Sequence, residues 1–111
     1  MSRRSILALI CACCIAAGPA HAGYRNGAEY LQMEDTERTG YVMGLFDMLE
    51  VIALVDSPHR VFYTRIKRCT ADMSIEQLRA FIDDYLLSSQ DFAGYSMASN
   101  FSAAFNKRCP K

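Results

Sequence analysis

Histidine is nearly missing from this chain: there are two in 111 residues, His21 and His59. His21 falls inside a stretch that reads as a cleavable leader, which leaves one imidazole for the mature protein. A zinc or iron site built from imidazole and thiolate therefore lacks ligands, and no metal or cofactor is expected. Net charge is missing too, since twelve Lys/Arg balance twelve Asp/Glu. Without a basic excess there is no electrostatic footprint for nucleic acid or anionic lipid. The chain also lacks a glycine-rich phosphate loop, an internal repeat and a stretch that alternates convincingly as a strand. Catalytic sets are absent as well. The acids Asp47/Glu50 and Asp83/Asp84 are the nearest thing to paired carboxylates, and a wet helix face explains them better than acid–base work does. No catalytic residue is expected, and the chain does not read as an enzyme.

What is present begins with an export signature. Arg3 and Arg4 precede an apolar run from Ile6 to Gly18, and Pro19 is followed by Ala20-His21-Ala22. A basic start, a short apolar middle and an A-x-A site make a secretory signal peptide, so cleavage is expected after Ala22. The middle is too short for the ~20 apolar residues of a bilayer span. Cys11, Cys13 and Cys14 lie within that run and leave with it. The remaining domain, residues 23–111, holds Cys69 and Cys109 alone. Two thiols in an exported protein most simply pair, the other reading being two buried free thiols. Subtracting Arg3 and Arg4 from the twelve basic residues leaves ten against twelve acids, a net charge of about −2.

The rest reads as one all-α domain, a compact bundle of four to five helices. Gly23 to Met33 predicts a short helix capped by Asn26, with Ala28, Tyr30 and Leu31 available to bury. Glu34-Asp35-Thr36-Glu37 is a helix start with acids where the macrodipole favours them. From it runs the longest helical pattern, Asp35 to Val55, in which Tyr41, Val42, Leu45, Phe46, Met48, Leu49, Ile52 and Ala53 cover roughly half the circumference. Gly40 and Gly44 each cost about 1 kcal/mol against alanine there, which predicts a second backbone packed closely on them. The small residues Ala98, Ser102 and Ala103 are the expected partners. Asp56-Ser57-Pro58 ends the run. His59 to Arg68 suits a helix or an extended piece, a helix begun at Pro58 being the better reading.

Ser74-Ile75-Glu76-Gln77 has the form of a capping box. After it, Ile75, Leu78, Phe81, Ile82, Tyr85 and Leu86 make an apolar stripe, with Glu76, Arg79, Asp83 and Asp84 opposite. A turn at Gln90-Asp91 leads to a last helix ending about Asn106, with Ala93, Met97, Ala98, Phe101, Ala104 and Phe105 as its stripe. A small, disulfide-tied domain without catalytic groups works by binding a protein partner. Asp56, His59 and Arg60 in one turn, and Asp91 and Tyr95 in the Ser88–Tyr95 connection, are the candidate contact residues. Tyr63 and Tyr95 are the aromatics least accounted for by the stripes.

Several of these features occur together in one known family. Asn26-Gly27, Tyr30-Leu31, Gly40-Tyr41-Val42-Met43-Gly44-Leu45-Phe46-Asp47, Cys69, Met73 to Leu78, Asp84-Tyr85-Leu86 and Cys109 stand in an order that resembles the Tai-type periplasmic immunity proteins. The likeness spans nearly all of the mature chain. It departs from the family pattern in having no cysteine in or after the first helix, and in ending Cys109-Pro110. The resemblance implies an all-helical periplasmic protein, often a homodimer, with a Cys69–Cys109 disulfide. It implies inhibition of a type VI-secreted cell-wall amidase by a loop that plugs the active-site cleft. A fainter similarity of Glu29 to Leu45 is to the acid-activated Hde-type chaperones, whose disulfide starts ahead of the central helix.

Overall fold

The computed structural model describes residues 25–111. The expected leader, its expected cleavage site and Cys11, Cys13 and Cys14 lie outside the described residues. Among those described, the chain forms five α-helices and no strand. They are α1 (Gly27–Leu31), α2 (Asp35–Val55), α3 (Ser57–Cys69), α4 (Ile75–Ser88) and α5 (Met97–Arg108), with a 3-10 turn at Gln90–Phe92 before α5. No helix among them is long and apolar enough to cross a membrane.

The helix starts follow from local chemistry. Asn26 accepts from the Glu29 amide at 2.8 Å while the Glu29 carboxylate takes the Asn26 N–H, so five residues of α1 are closed by a full capping box. At the start of α2 the Glu37 carboxylate takes the Glu34 N–H, and Ser74 and Gln77 form a full box for α4. Asp56 caps α3, with Pro58 in the first turn where a missing N–H costs nothing. The ambiguous His59–Arg68 stretch is thereby helical.

α2 is the spine, packed against α3 on one side and α4 on the other. Val42, Leu49 and Ala53 are its buried residues, and Tyr41, Leu45, Phe46 and Ile52 are half-buried. Phe46 meets Phe101 and Phe105 edge-on, with ring centroids 5.0 and 5.5 Å apart, and Phe81 of α4 closes on Phe105 at 5.2 Å. These four rings join α2, α4 and α5 around one centre, to which Ile66 of α3 and Tyr30 of α1 add. The Cys69 and Cys109 sulfurs are 2.08 Å apart, bonding the end of α3 to the end of α5 across 40 residues.

Several expectations are corrected. Gly40 and Gly44 face outward: a Cβ on either meets nothing within 4 Å. Ala98 and Ala103 are exposed and do not pack there. The glycine that admits a close neighbour is Gly27, where a Cβ would lie 3.0 Å from Leu86 Cδ2 and 3.2 Å from the Ala93 carbonyl. Tyr30 and Gly27, rather than Ala28, are what α1 buries. Met48 is exposed, because the apolar run of α2 continues round the helix beyond what α3 and α4 cover. α5 begins at Met97, so Ala93 precedes it.

Asp83 is the largest correction. It is buried at 8% exposure, not on a wet face. Its Oδ1 accepts from the Tyr30 hydroxyl at 2.8 Å, and its Oδ2 accepts from Arg79 at 2.9 Å with Arg38 Nε at 3.5 Å. Arg38 also pairs with Asp35, and donates to the Leu31 carbonyl that ends α1. Periodicity placed Asp83 outside the stripe correctly, but α1 folds over that side of α4 and seals it. Burial, and then the bond to Asp83, push the Tyr30 phenol far above its ordinary value of 10.0.

Candidate interaction surface

The corner between α2 and α3 holds three of the five predicted contact residues. Asp56 accepts from the His59 amide at 3.1 Å, and its carboxylate also meets His59 Nδ1. The side-chain bond from His59, then the backbone one, hold the Asp56 carboxyl below the usual carboxylate range. Arg60 turns back: its Nε donates to the Ala53 carbonyl at 3.0 Å and its Nη2 to that of Leu54 at 3.3 Å. A cation on these last carbonyls also complements the α2 dipole. Asp56, His59 and Arg60 therefore build the corner before they touch anything else.

What the corner presents to a partner is apolar. Leu54, Val55 and Val61 are 73, 86 and 71% exposed, a cluster at the tip of the α2–α3 hairpin. Sequence reasoning missed them because it looked for polar loop residues there. The available signal was the run Val51-Ile52-Ala53-Leu54-Val55 itself, since a helix apolar on every face cannot bury every face in a small bundle.

Asp91 and Tyr95 lie elsewhere. Asp91 is in the 3-10 turn, and Tyr95 follows it with its ring 5.7 Å from that of Phe92. The backbone between them is pinned from both sides. The Gly27 and Ala28 amides donate to the Tyr95 and Ala93 carbonyls at 3.1 and 3.0 Å. From α5, the buried Asn100 brings its amide nitrogen within 3.0 to 3.2 Å of the Phe92, Tyr95 and Ser96 carbonyls. No sequence pattern flagged Asn100, which sits in the apolar stripe as a second donor to three carbonyls that each also accept a backbone N–H. This connection docks on α1, which leads into the start of α2, whereas Asp56 follows its end. The 21 residues of α2 span about 31 Å, so the two predicted loops are separate surfaces.

No family model matches the chain, and no curated protein or solved structure matches it.

Charge distinguishes the surfaces further. All twelve acidic residues fall between Glu29 and Asp56 or between Asp72 and Asp91. The stretches Ser57–Ala71 and Phe92–Lys111 contain no acid, and they fold into α3 and α5. Among the described residues every ion pair involves Arg38, His59 or Arg79, so the lysines and arginines of α3 and α5 are left without carboxylates. Also among the described residues, no three His, Cys, Asp or Glu side chains converge as a metal-binding group.

Proposed function

We propose that this chain is an exported protein-binding module of the immunity type, which blocks a cell-wall amidase by inserting the α2–α3 tip into its active-site cleft. The observation that carries this reading is the tip itself: three exposed aliphatic side chains on a corner whose polar groups are already tied down. Such a corner costs little ordering entropy to bind, and its aliphatic surface gains by leaving water. The periplasmic setting and the amidase partner rest on the leader pattern and the family resemblance. A homodimer belongs to the same reading, and the outer face of α2, with Met43, Met48 and Val51 exposed beside Gly40 and Gly44, is where we place its contact.

The test is calorimetric titration of the mature protein with an exported amidase encoded beside it. Binding in the nanomolar range is expected. Leu54→Asp with Val55→Asp should weaken it by about a hundredfold, since each charge must be desolvated in the cleft. If periplasmic expression protects cells from no effector of the same strain, the immunity reading fails.

The Asp83 cluster favours a second reading, an acid-activated chaperone. Arg38 and Arg79 stand side by side on the carboxylates of Asp83 and Asp35, so the joint between α2 and α4 depends on charge, and this reading expects it to loosen in strong acid and uncover the core. Loss of near-ultraviolet dichroism at pH 2 together with suppressed client aggregation would support it. A protein still folded and inert at that pH would exclude it.

A further inference from the structure

We infer that the groove between α3 and the end of α5 binds an acidic segment of a protein, one that carries carboxylates interspersed with apolar side chains. The inference does not depend on the partner being an amidase.

The groove has a volume of about 940 Å³, with Val61, Phe62 and Pro110 on its apolar wall and Arg65, Arg68 and Lys111 among its cations. That is the upper end of the range for ligand sites, room for a few residues of extended chain. No aspartate or glutamate lines it. The two acid-free stretches meet here, joined by the Cys69–Cys109 bond and by Arg65 donating to Asn106 Oδ1.

Arg65 is already oriented. Its guanidinium lies over the Phe62 ring at 5.3 Å, and its Nε is shielded from water without a partner. With Nη2 on Asn106 and Nε shielded, the guanidinium is held in place as a fixed cation, and its Nη1, which makes no bond, suits a carboxylate oxygen. Arg68 is exposed and makes no ion pair. Arg60 also borders the groove, but its guanidinium is engaged with the α2 carbonyls.

Two features favour an acidic peptide over a phosphate polymer. The chain as a whole has no positive excess, and the acids of α2 and α4 oppose a long polyanion. The wall is apolar, which rewards burial of an aliphatic or aromatic side chain between the anionic ones.

The probe is a fluorescein-labelled peptide alternating glutamate with leucine, followed by anisotropy. Controls are the glutamine–leucine version and a single-stranded oligonucleotide of equal charge. Saturable binding of the glutamate peptide is expected, about tenfold tighter than of the glutamine peptide, with the oligonucleotide weaker still. Arg68→Glu and, separately, Lys111→Glu should each weaken the glutamate peptide by about tenfold. Thermal melting, unchanged in both, separates that loss from misfolding. Val55→Asp, outside the groove, should bind the peptide like the unmodified protein, so failure here leaves the tip reading intact. Equal binding of the two peptides, no binding of either, insensitivity to both charge reversals, or tighter binding of the oligonucleotide would each overturn the inference.

Discussion

The α2–α4 side and the α3–α5 side of this protein use charge in opposite ways. On the first, acids outnumber bases, and the two arginines present are enclosed. Arg38 and Arg79 share Asp83 and Asp35, and the Tyr30 hydroxyl completes the shell of Asp83. On the second, cations stand without carboxylates, and a covalent bond holds together what ion pairs do not. A small bundle buries limited apolar surface, so each side needs a further fastening. The acidic side closes by ion pairs and hydrogen bonds, so its two arginines are spent and what α2 still exposes is aliphatic. The basic side closes by the disulfide and keeps its charges available.

Cutting the disulfide should have the largest effect. Cys69→Ser and Cys109→Ser each release the same 40-residue closure, worth about 4 kcal/mol in the chain-entropy account. Urea unfolding should show equal losses for the two variants, and unequal losses would mean that one cysteine has a separate role. Next comes the polar cluster. Asp83→Asn leaves two guanidinia short of a counter-charge and should cost about 3 kcal/mol. Tyr30→Phe removes one bond to that carboxylate, for about 1.5 kcal/mol.

The same tyrosine gives the comparison a pH signature. Its folded pKa is raised, so its contribution is whole below the unfolded value of 10.0 and declines as pH rises beyond it. The unmodified protein should therefore lose stability above pH 10 more steeply than Tyr30→Phe, as measured by denaturant midpoints across that range. Asp56 acts with the opposite sign. Its lowered pKa stabilises the corner above the carboxylate range, and that stabilisation is lost as pH falls through it.

The glycines give smaller effects of opposite direction. Gly27→Ala presses a methyl on Leu86 and on the Ala93 carbonyl, which the Ala28 amide holds in place, and should cost about 1 to 2 kcal/mol. Gly44→Ala meets nothing and should add about 0.5 to 1 kcal/mol to monomer stability. If it instead weakens association at high concentration in sedimentation, the outer face of α2 is covered by a second copy. Arg68→Glu should change stability by less than about 0.5 kcal/mol, which confines its effect to the groove.

Much of this was legible residue by residue. Asn26, Ser74 and Gln77 announce their helix starts because a cap needs a side-chain oxygen at one place and a partner three residues on. The stripe of α4 was readable because its partner helices cover one face and leave the rest wet. The end of α2 defeated that reasoning, Val51 to Val55 being apolar all round. Its pattern said that much would be buried, and not that Met48, Val51, Leu54 and Val55 would stay outside. Of the candidate contacts, Asp56, His59 and Arg60 were found as a turn, yet their own bonding spends them on the corner, and the aliphatic neighbours are what it displays.

From the order of residues alone came the helices, most of their starts and the two thiols available to pair. These depend on interactions within a few positions of one another, or on composition. Which side of α4 the first helix would cover, which glycine would be crowded, and which cations would meet across the groove depended on contacts far apart in the chain. Periodicity tells each helix which face avoids water. Only the packed bundle determines which of those faces find a neighbour.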